Sequence, residues 1–325
     1  MMLFLHLFNR DYQGLFEPLV FVGAQPLSYY VSLFSDACVP IFAFVSGYGL
    51  YLSYSQKPEQ YFKKNIVRIK SLYLRYWIII LLFVLGLGYL ILHKEGFPGS
   101  WQKLILTFTA VDPAYNGAWW FFTVYVLFVF TSGFCLSLLG KVNPWFYLLI
   151  LLLVYIVAFY FRIYKTKLFD HAVLEWVHRW GALYFCTLFQ FMLGAFAVRF
   201  NWSEKFTQVF KKVRYRNGIA LIGIVLLIVF HGVVPNFIVA PFTALAFIFL
   251  FLQLDLPPAI NKTLDFFTPH ASNIWLVHMF FYMIFFPKFI YGFTYVLPVF
   301  LALIMSSVLS SYLINAIKKP LQKWV

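Results

Sequence analysis

The sequence predicts an all-α polytopic membrane protein of about ten transmembrane helices, the first of them truncated at Met1. Composition and spacing carry that prediction. Hydrophobic residues make up 63% of the 325 and charged residues 11%, with a mean hydropathy of +0.82, a balance that no soluble domain of this length shows. The apolar residues also gather in long runs, at 30–54, 73–92, 117–139, 144–162, 179–199, 217–234, 236–253, 271–291 and 294–316. Each run is close to the roughly 20 residues that a crossing takes. Nine runs and a leading remnant give ten helices in one membrane-embedded domain over 1–325, with no soluble domain.

The remnant, MMLFLHLFN, is too short to span and lacks the basic n-region and cleavage site of a signal peptide. It reads as the outer half of a first helix whose inner half lies upstream of Met1. The next run contains SLFSDACVPIFAFVSGYGLYLSY, Ser32 to Tyr54, and carries one carboxylate, Asp36. Pro40 and the pair Ser46-Gly47 are expected to break it. The string KKNIVRIKSLYLRYW, Lys63 to Trp77, follows and reads as a cytoplasmic loop leading into the third helix. With 57–75 inside, alternation of the spans places 17 of the 25 basic residues inside and eight outside. The positive-inside rule then sets both termini in the cytoplasm, and the protein in the plasma membrane.

The net charge of +14 sits in short segments between apolar runs, so it records topology and not a nucleic-acid footprint. Cys38, Cys135 and Cys186 lie singly inside apolar runs and read as buried, inert thiols. The longest outer segments are 10–29, 93–116 and 163–178. The last ends in HAVLEWVH, His171 to His178, but its Glu175 stands four residues after His171 where a zinc-protease helix has Glu next to the first His. It reads as a solvated loop, with no metal. Trp101, Trp119, Trp120, Trp176 and Trp180 fall near outer helix ends, where interfacial aromatics belong.

Ionisable groups inside a membrane are costly, and each is a candidate for function: His6, Asp36, His231 and His278. His278 lies about eight residues into a span entered from inside, and Asp36 a similar depth into one entered from outside. At 1.5 Å per residue both come to roughly 10–12 Å from opposite faces of a ~30 Å core. His6 sits in the outer half of its helix, so the three are expected to share a buried site. A carboxylate beside an imidazole fixes its tautomer and raises its basicity. The other reading of each is a hydrogen-bonded packing residue. His231, beside Gly232 and Pro235 at an outer helix end, reads as interfacial.

His6 in a first helix, VPIFAFVSGYGLY, the basic Lys64 to Tyr76 run, GAWWFFTVYVLF at 117–128 and SNIWLVH at 272–278 occur in an order and spacing that resembles the acyltransferase 3 family of integral membrane acyltransferases. The resemblance covers essentially the whole chain. It implies a ten-helix enzyme that moves an acyl group, most often acetyl from acetyl-CoA, to a hydroxyl, usually on a sugar of a cell-surface glycan. His6 matches the family's first-helix His, whose basic partner three turns earlier would precede Met1. Arg68-Ile69 matches an Arg-rich element, although Ser71 stands where Pro is usual and Lys64 or Asn65 replaces the preceding Arg. Trp120-Phe121 matches the Trp-Phe element, and His278 the His that closes the last motif. No SGNH-type hydrolase domain lies within the 325 residues, so the acceptor is modified in the membrane domain or through a separate envelope partner protein.

The resulting expectation gives His6 proton transfer, with His278 and Asp36 orienting or sharing the proton. Arg68, Arg75 and Lys64 hold the phosphates of acyl-CoA, and Ser46, Trp119 and Trp120 line the substrate cavity. The acceptor is a glycan or lipid-linked sugar, with membrane lipid around it. The alternative is a proton-coupled secondary transporter or lipid flippase using the buried His and Asp. A non-enzymatic assembly or sensor component is a third reading.

Overall fold

The computed structural model describes residues 1–324. Its elements in order are α1 (Met2–Phe8), β1 (Phe21–Val22), β2 (Gln25–Pro26), α2 (Leu27–Gln56), α3 (Pro58–Ile91), α4 (Trp101–Phe108), α5 (Gly117–Lys141), α6 (Pro144–Ile163), α7 (Ala172–Arg199), α8 (Trp202–Phe210), α9 (Arg216–Val233), α10 (Phe237–Phe251), α11 (Pro258–Phe267), α12 (Ala271–Phe285), α13 (Pro287–Tyr291) and α14 (Val296–Leu321). Among the described residues seven helices, α2, α3, α5, α6, α7, α9 and α14, are long and apolar enough to cross a membrane, and α10 and α12 are shorter apolar helices. The chain is an all-α polytopic membrane protein, and each apolar run read from the sequence has its helix.

Local chemistry sets many of the boundaries. Asn143 accepts the N–H groups of Trp145 and Phe146 ahead of Pro144, so α6 opens with a side-chain cap and a proline at its first position. Asn116 caps α5 through Ala118 N–H, and Ser100 caps α4 through Lys103 N–H. The hairpin of β1 and β2 turns at Gly23, whose φ of 63° is the left-handed region that glycine enters freely.

Three boundaries differ from the sequence reading. The basic stretch 57–75 is not a loop: α3 begins at Pro58 and runs unbroken into its apolar half, because Lys, Arg, Gln and Leu are good helix formers after a first-position proline. The segment around HAVLEWVH is also helical from Ala172, with Glu175 accepting the N–H groups of Leu168 and Phe169 at 3.0 Å each. In α2 the irregularity is a 3-10 turn at Ser35–Ala37, one turn before Pro40. Pro40 has no N–H for the carbonyl of Asp36, so the disturbance falls upstream of the ring. Ser46-Gly47 does not break the helix. The Ser46 hydroxyl bonds the carbonyl of Phe42 at 2.7 Å, within its own helix.

The chain divides into two packed units, 1–35 with 66–123 and 256–325, and 36–65 with 124–255. In the second unit α7 is the central helix: every residue from Cys186 to Ala197 is buried, which marks a helix covered on all sides. Along one side it meets α2 where both backbones carry glycine. A Cβ on Gly47 would fall inside the Phe191 carbonyl, and one on Gly194 inside that of Phe44. Small residues let helices approach to backbone contact where lipid gives no hydrophobic drive to associate. Gly47 is therefore a contact point. On other sides Phe128 stacks on Phe191 with ring centroids 4.6 Å apart, and Tyr155 on Phe189 at 5.5 Å. Cys38, Cys135 and Cys186 are buried free thiols. His231 is buried at the end of α9, its Nε2 2.6 Å from the Thr243 hydroxyl.

In the first unit α1, α12 and α14 share an apolar core that includes Leu3, Leu7, Phe8, Ile274, Val299 and Leu303. Two helical segments here are wound wider than α, Ile80–Ile91 in α3 and Phe280–Phe285 in α12, with i→i+5 bonds such as Leu92 N–H to Leu87 O at 2.9 Å and Phe286 N–H to Phe281 O at 3.1 Å. They lie against each other through Phe83 and Phe280, stacked at 4.9 Å. Wide turns of this kind are rare and are frequent at functional sites.

Candidate active site

The site in the first unit is built on α1 and α12. In α1 the residues Leu3, His6, Leu7 and Arg10 recur at the i, i+3, i+4, i+7 spacing of one helical face, and Leu3 and Leu7 are buried. His6 is thereby turned toward α12. Its ring centroid is 5.0 Å from that of His278, the planes edge to face at 79°. Its Nδ1 lies 3.1 Å from the Tyr282 hydroxyl.

His278 and Tyr282 are four residues apart on α12, so one face of that helix presents both to His6. Their rings are nearly parallel, at 11°, with centroids 6.0 Å apart. His278 is fully buried. Its Nδ1 is 2.7 Å from the carbonyl of Trp275 and 3.2 Å from that of Ile274. A carbonyl only accepts, so Nδ1 carries the proton and the neutral ring keeps its lone pair on Nε2. That Nε2 is buried and has no hydrogen-bond partner among the described residues. A buried polar atom without a partner needs an explanation, and a lone pair held ready for a proton is one.

Arg10 completes the cluster. Its guanidinium donates to the carbonyl of His6 at 2.7 Å and lies over the Tyr282 ring at 5.1 Å. Tyr291 donates to the carbonyl of Leu7 at 3.2 Å. The carbonyls of His6 and Leu7 at the C-terminal end of α1 are thus satisfied by side chains, which fixes the short helix that carries His6.

The start of α5 holds α12 in place. The carbonyl of Leu276 accepts from Trp119 Nε1 at 2.8 Å and from Asn116 Nδ2 at 3.0 Å. It is open to them because the N–H of Phe280, one turn on, bonds instead to Val277 and His278 where the helix changes pitch. Trp275 returns a bond to the carbonyl of Ala118 at 3.2 Å. Trp119, expected in a substrate cavity, is fully buried as this clamp, and Trp120 is half-buried beside Phe121.

The remaining candidates lie elsewhere. Asp36 and Ser46 belong to the second unit, Asp36 in the 3-10 turn of α2. Lys64, Arg68 and Arg75 recur at four- and seven-residue spacing on α3, one helical face, and all three are half-buried, while Lys63 and Lys70 on other faces are exposed. Three partners escaped the sequence reading: Tyr282, Arg10 and Asn116. The first two had a signal, since each stands four residues from a candidate histidine. Asn116 had none, because it acts on a backbone carbonyl 160 residues away.

The profile of the acyltransferase 3 family, described as an acyltransferase domain, matches residues 1–316. The chain belongs to that family and is a membrane acyltransferase. No curated protein and no solved structure matches the chain.

Proposed function

We propose that the protein is an O-acyltransferase that takes an acyl group, acetyl in the first instance, from cytoplasmic acyl-CoA and places it on a hydroxyl of a cell-surface or lipid-linked sugar. The observation that carries this reading is the buried cluster of His6, His278 and Tyr282, in which His278 offers an unpartnered Nε2. His6 takes the proton of the acceptor hydroxyl as its oxygen attacks the thioester carbonyl. The C–O bond forms, the C–S bond breaks, and the proton passes to the departing thiolate. His278, its tautomer set by Trp275, relays or shares that proton, and Tyr282 orients His6.

Arg68, Arg75 and Lys64 hold the donor phosphates from one face of α3. Guanidinium groups suit phosphate oxygens well, and half-burial of these three, against the exposure of Lys63 and Lys70, supports a role beyond topology. The enzyme works in the plasma membrane with both termini cytoplasmic, and a separate envelope protein can receive or present the glycan. The test is purified protein given acetyl-CoA, with free CoA followed over time. Release that depends on an added glycan or lipid-linked sugar supports the proposal. Proton-driven transport with no CoA release under any acceptor would replace it with a transporter.

A further inference from the structure

Within the first unit a second polar group lies away from the histidines. Lys318, near the end of α14, is 6% exposed. Its Nζ donates to the Ser71 hydroxyl at 3.1 Å, and Arg75 stands one turn along α3 from Ser71, on the same helical face. Neither cation is paired with a carboxylate among the described residues, and Arg75 Nε is buried without a partner. Two cations gathered about Ser71, neither with a carboxylate partner among the described residues, are unfavourable unless something supplies the countercharge.

Buried polar atoms continue from this pair toward His278. Asn273 is fully buried; its amide nitrogen is used by Ser311 at 2.8 Å and Asn315 at 2.9 Å, and its Oδ1 has no partner. Ser307, also fully buried, has an unpartnered hydroxyl. Ser307, Ser311, Asn315 and Lys318 recur every three to four residues, a polar stripe on an otherwise apolar helix. From Lys318 to Ser307 the stripe runs roughly 16 Å at 1.5 Å per residue. Asn273 stands five residues, or about 7 Å, before His278 on α12.

We infer that Arg75 and Lys318 form a phosphate-ester site, and that Asn273 and Ser307 contact the uncharged polar arm of the same ligand on its way to His278. The inference rests on the acyl-CoA reading above and adds Lys318, Asn273 and Ser307 to it. The shared chemistry is a phosphate ester, which the donor or an anionic lipid headgroup can bring.

The test uses full-length protein in phosphatidylcholine nanodiscs and compares the wild type with Lys318→Met, which keeps the stem and removes the charge, and Lys318→Arg. Arg75→Met is carried beside them so that loss of fold in one variant does not decide the result. The probes are CoA, pantetheine, which lacks the phosphates, and phosphatidylglycerol. A charge-assisted contact predicts that Lys318→Met weakens CoA binding roughly 10- to 100-fold, leaves pantetheine binding unchanged and is largely rescued by Arg. If Lys318→Met instead weakens phosphatidylglycerol retention alone, the phosphate site stands with lipid as its source. Unchanged binding of both in folded variants overturns it. CoA binding through Lys318 without CoA release from acetyl-CoA would remove the proposed function and keep this site. Release with a KM untouched by Lys318→Met, and lipid retention also unchanged, would do the reverse.

Discussion

His278 is held by Nδ1 and left open at Nε2, and that asymmetry of one ring separates the substitutions around it. His278→Gln keeps polarity but cannot offer an imidazole lone pair, so CoA release should fall roughly 100-fold or more, the range of a positioned acid-base group. His6→Ala should abolish transfer while the protein still purifies as a folded species; acylation at the wild-type rate would sink its assignment. Tyr282→Phe removes the hydroxyl 3.1 Å from His6 Nδ1 and keeps the ring. Its expected mark is a drop of about tenfold in kcat with KM little changed, since an orienting bond acts on the chemical step. A raised KM at constant kcat would place Tyr282 in substrate binding instead.

At the scale of elements, the contact between α2 and α7 is the most sharply defined. No side chain fits at Gly194 without displacing the Phe44 carbonyl. Gly194→Val should therefore destabilise the protein by about 3 kcal/mol or more, beyond ordinary overpacking, because backbone cannot move aside as a side chain can. Thermal unfolding in detergent reads this, with Gly49→Val as control, since a Cβ there meets nothing within 4 Å. Equal melting of the two variants would refute the close-packing account. The half-buried face of α3 makes a different prediction. Arg68→Ala should raise KM for acetyl-CoA more than it lowers kcat, as a contact far from the reacting carbon contributes uniform binding. A fixed KM with the protein inserted in the wrong orientation would return Arg68 to a purely topological role.

For the whole molecule, the proposed arrangement with both termini cytoplasmic can be read by cysteine labelling. The three native thiols are buried, so single cysteines placed at Lys57 and Lys319 should react from the same side, opposite to one at Lys167. Labelling of Lys57 and Lys319 from opposite sides would break the helix count on which the arrangement stands. Much of the molecule was legible in the sequence because each span is nearly a local object: roughly 20 apolar residues fix a helix whatever surrounds it. His6 and His278 were legible for the same reason, as imidazoles out of place in apolar runs. That the two share a depth was legible as well; the edge-to-face contact itself was not, because it depends on how α1 packs on α12, across 272 residues of chain. The role of Gly47 was hidden likewise: glycine in a helix reads as a break unless the partner backbone that needs it is known. Lys318 passed as one of several basic residues near the C-terminus, and only burial distinguishes it from Lys319 and Lys323.

The widened turns at Ile80–Ile91 and Phe280–Phe285 bear on how this chain tolerates changes in length. In a regular α-helix, deleting one residue rotates everything beyond it by about 100°, and every later contact is lost. A segment bonded i→i+5 holds slack, and a deletion there can be absorbed by tightening to i→i+4 with the flanking helix kept in phase. Single-residue deletions within 283–285, past Tyr282, should leave a folded protein in which His6, His278 and Tyr282 still meet. The same lesion within 186–197 of α7, which is buried on every side, should leave none.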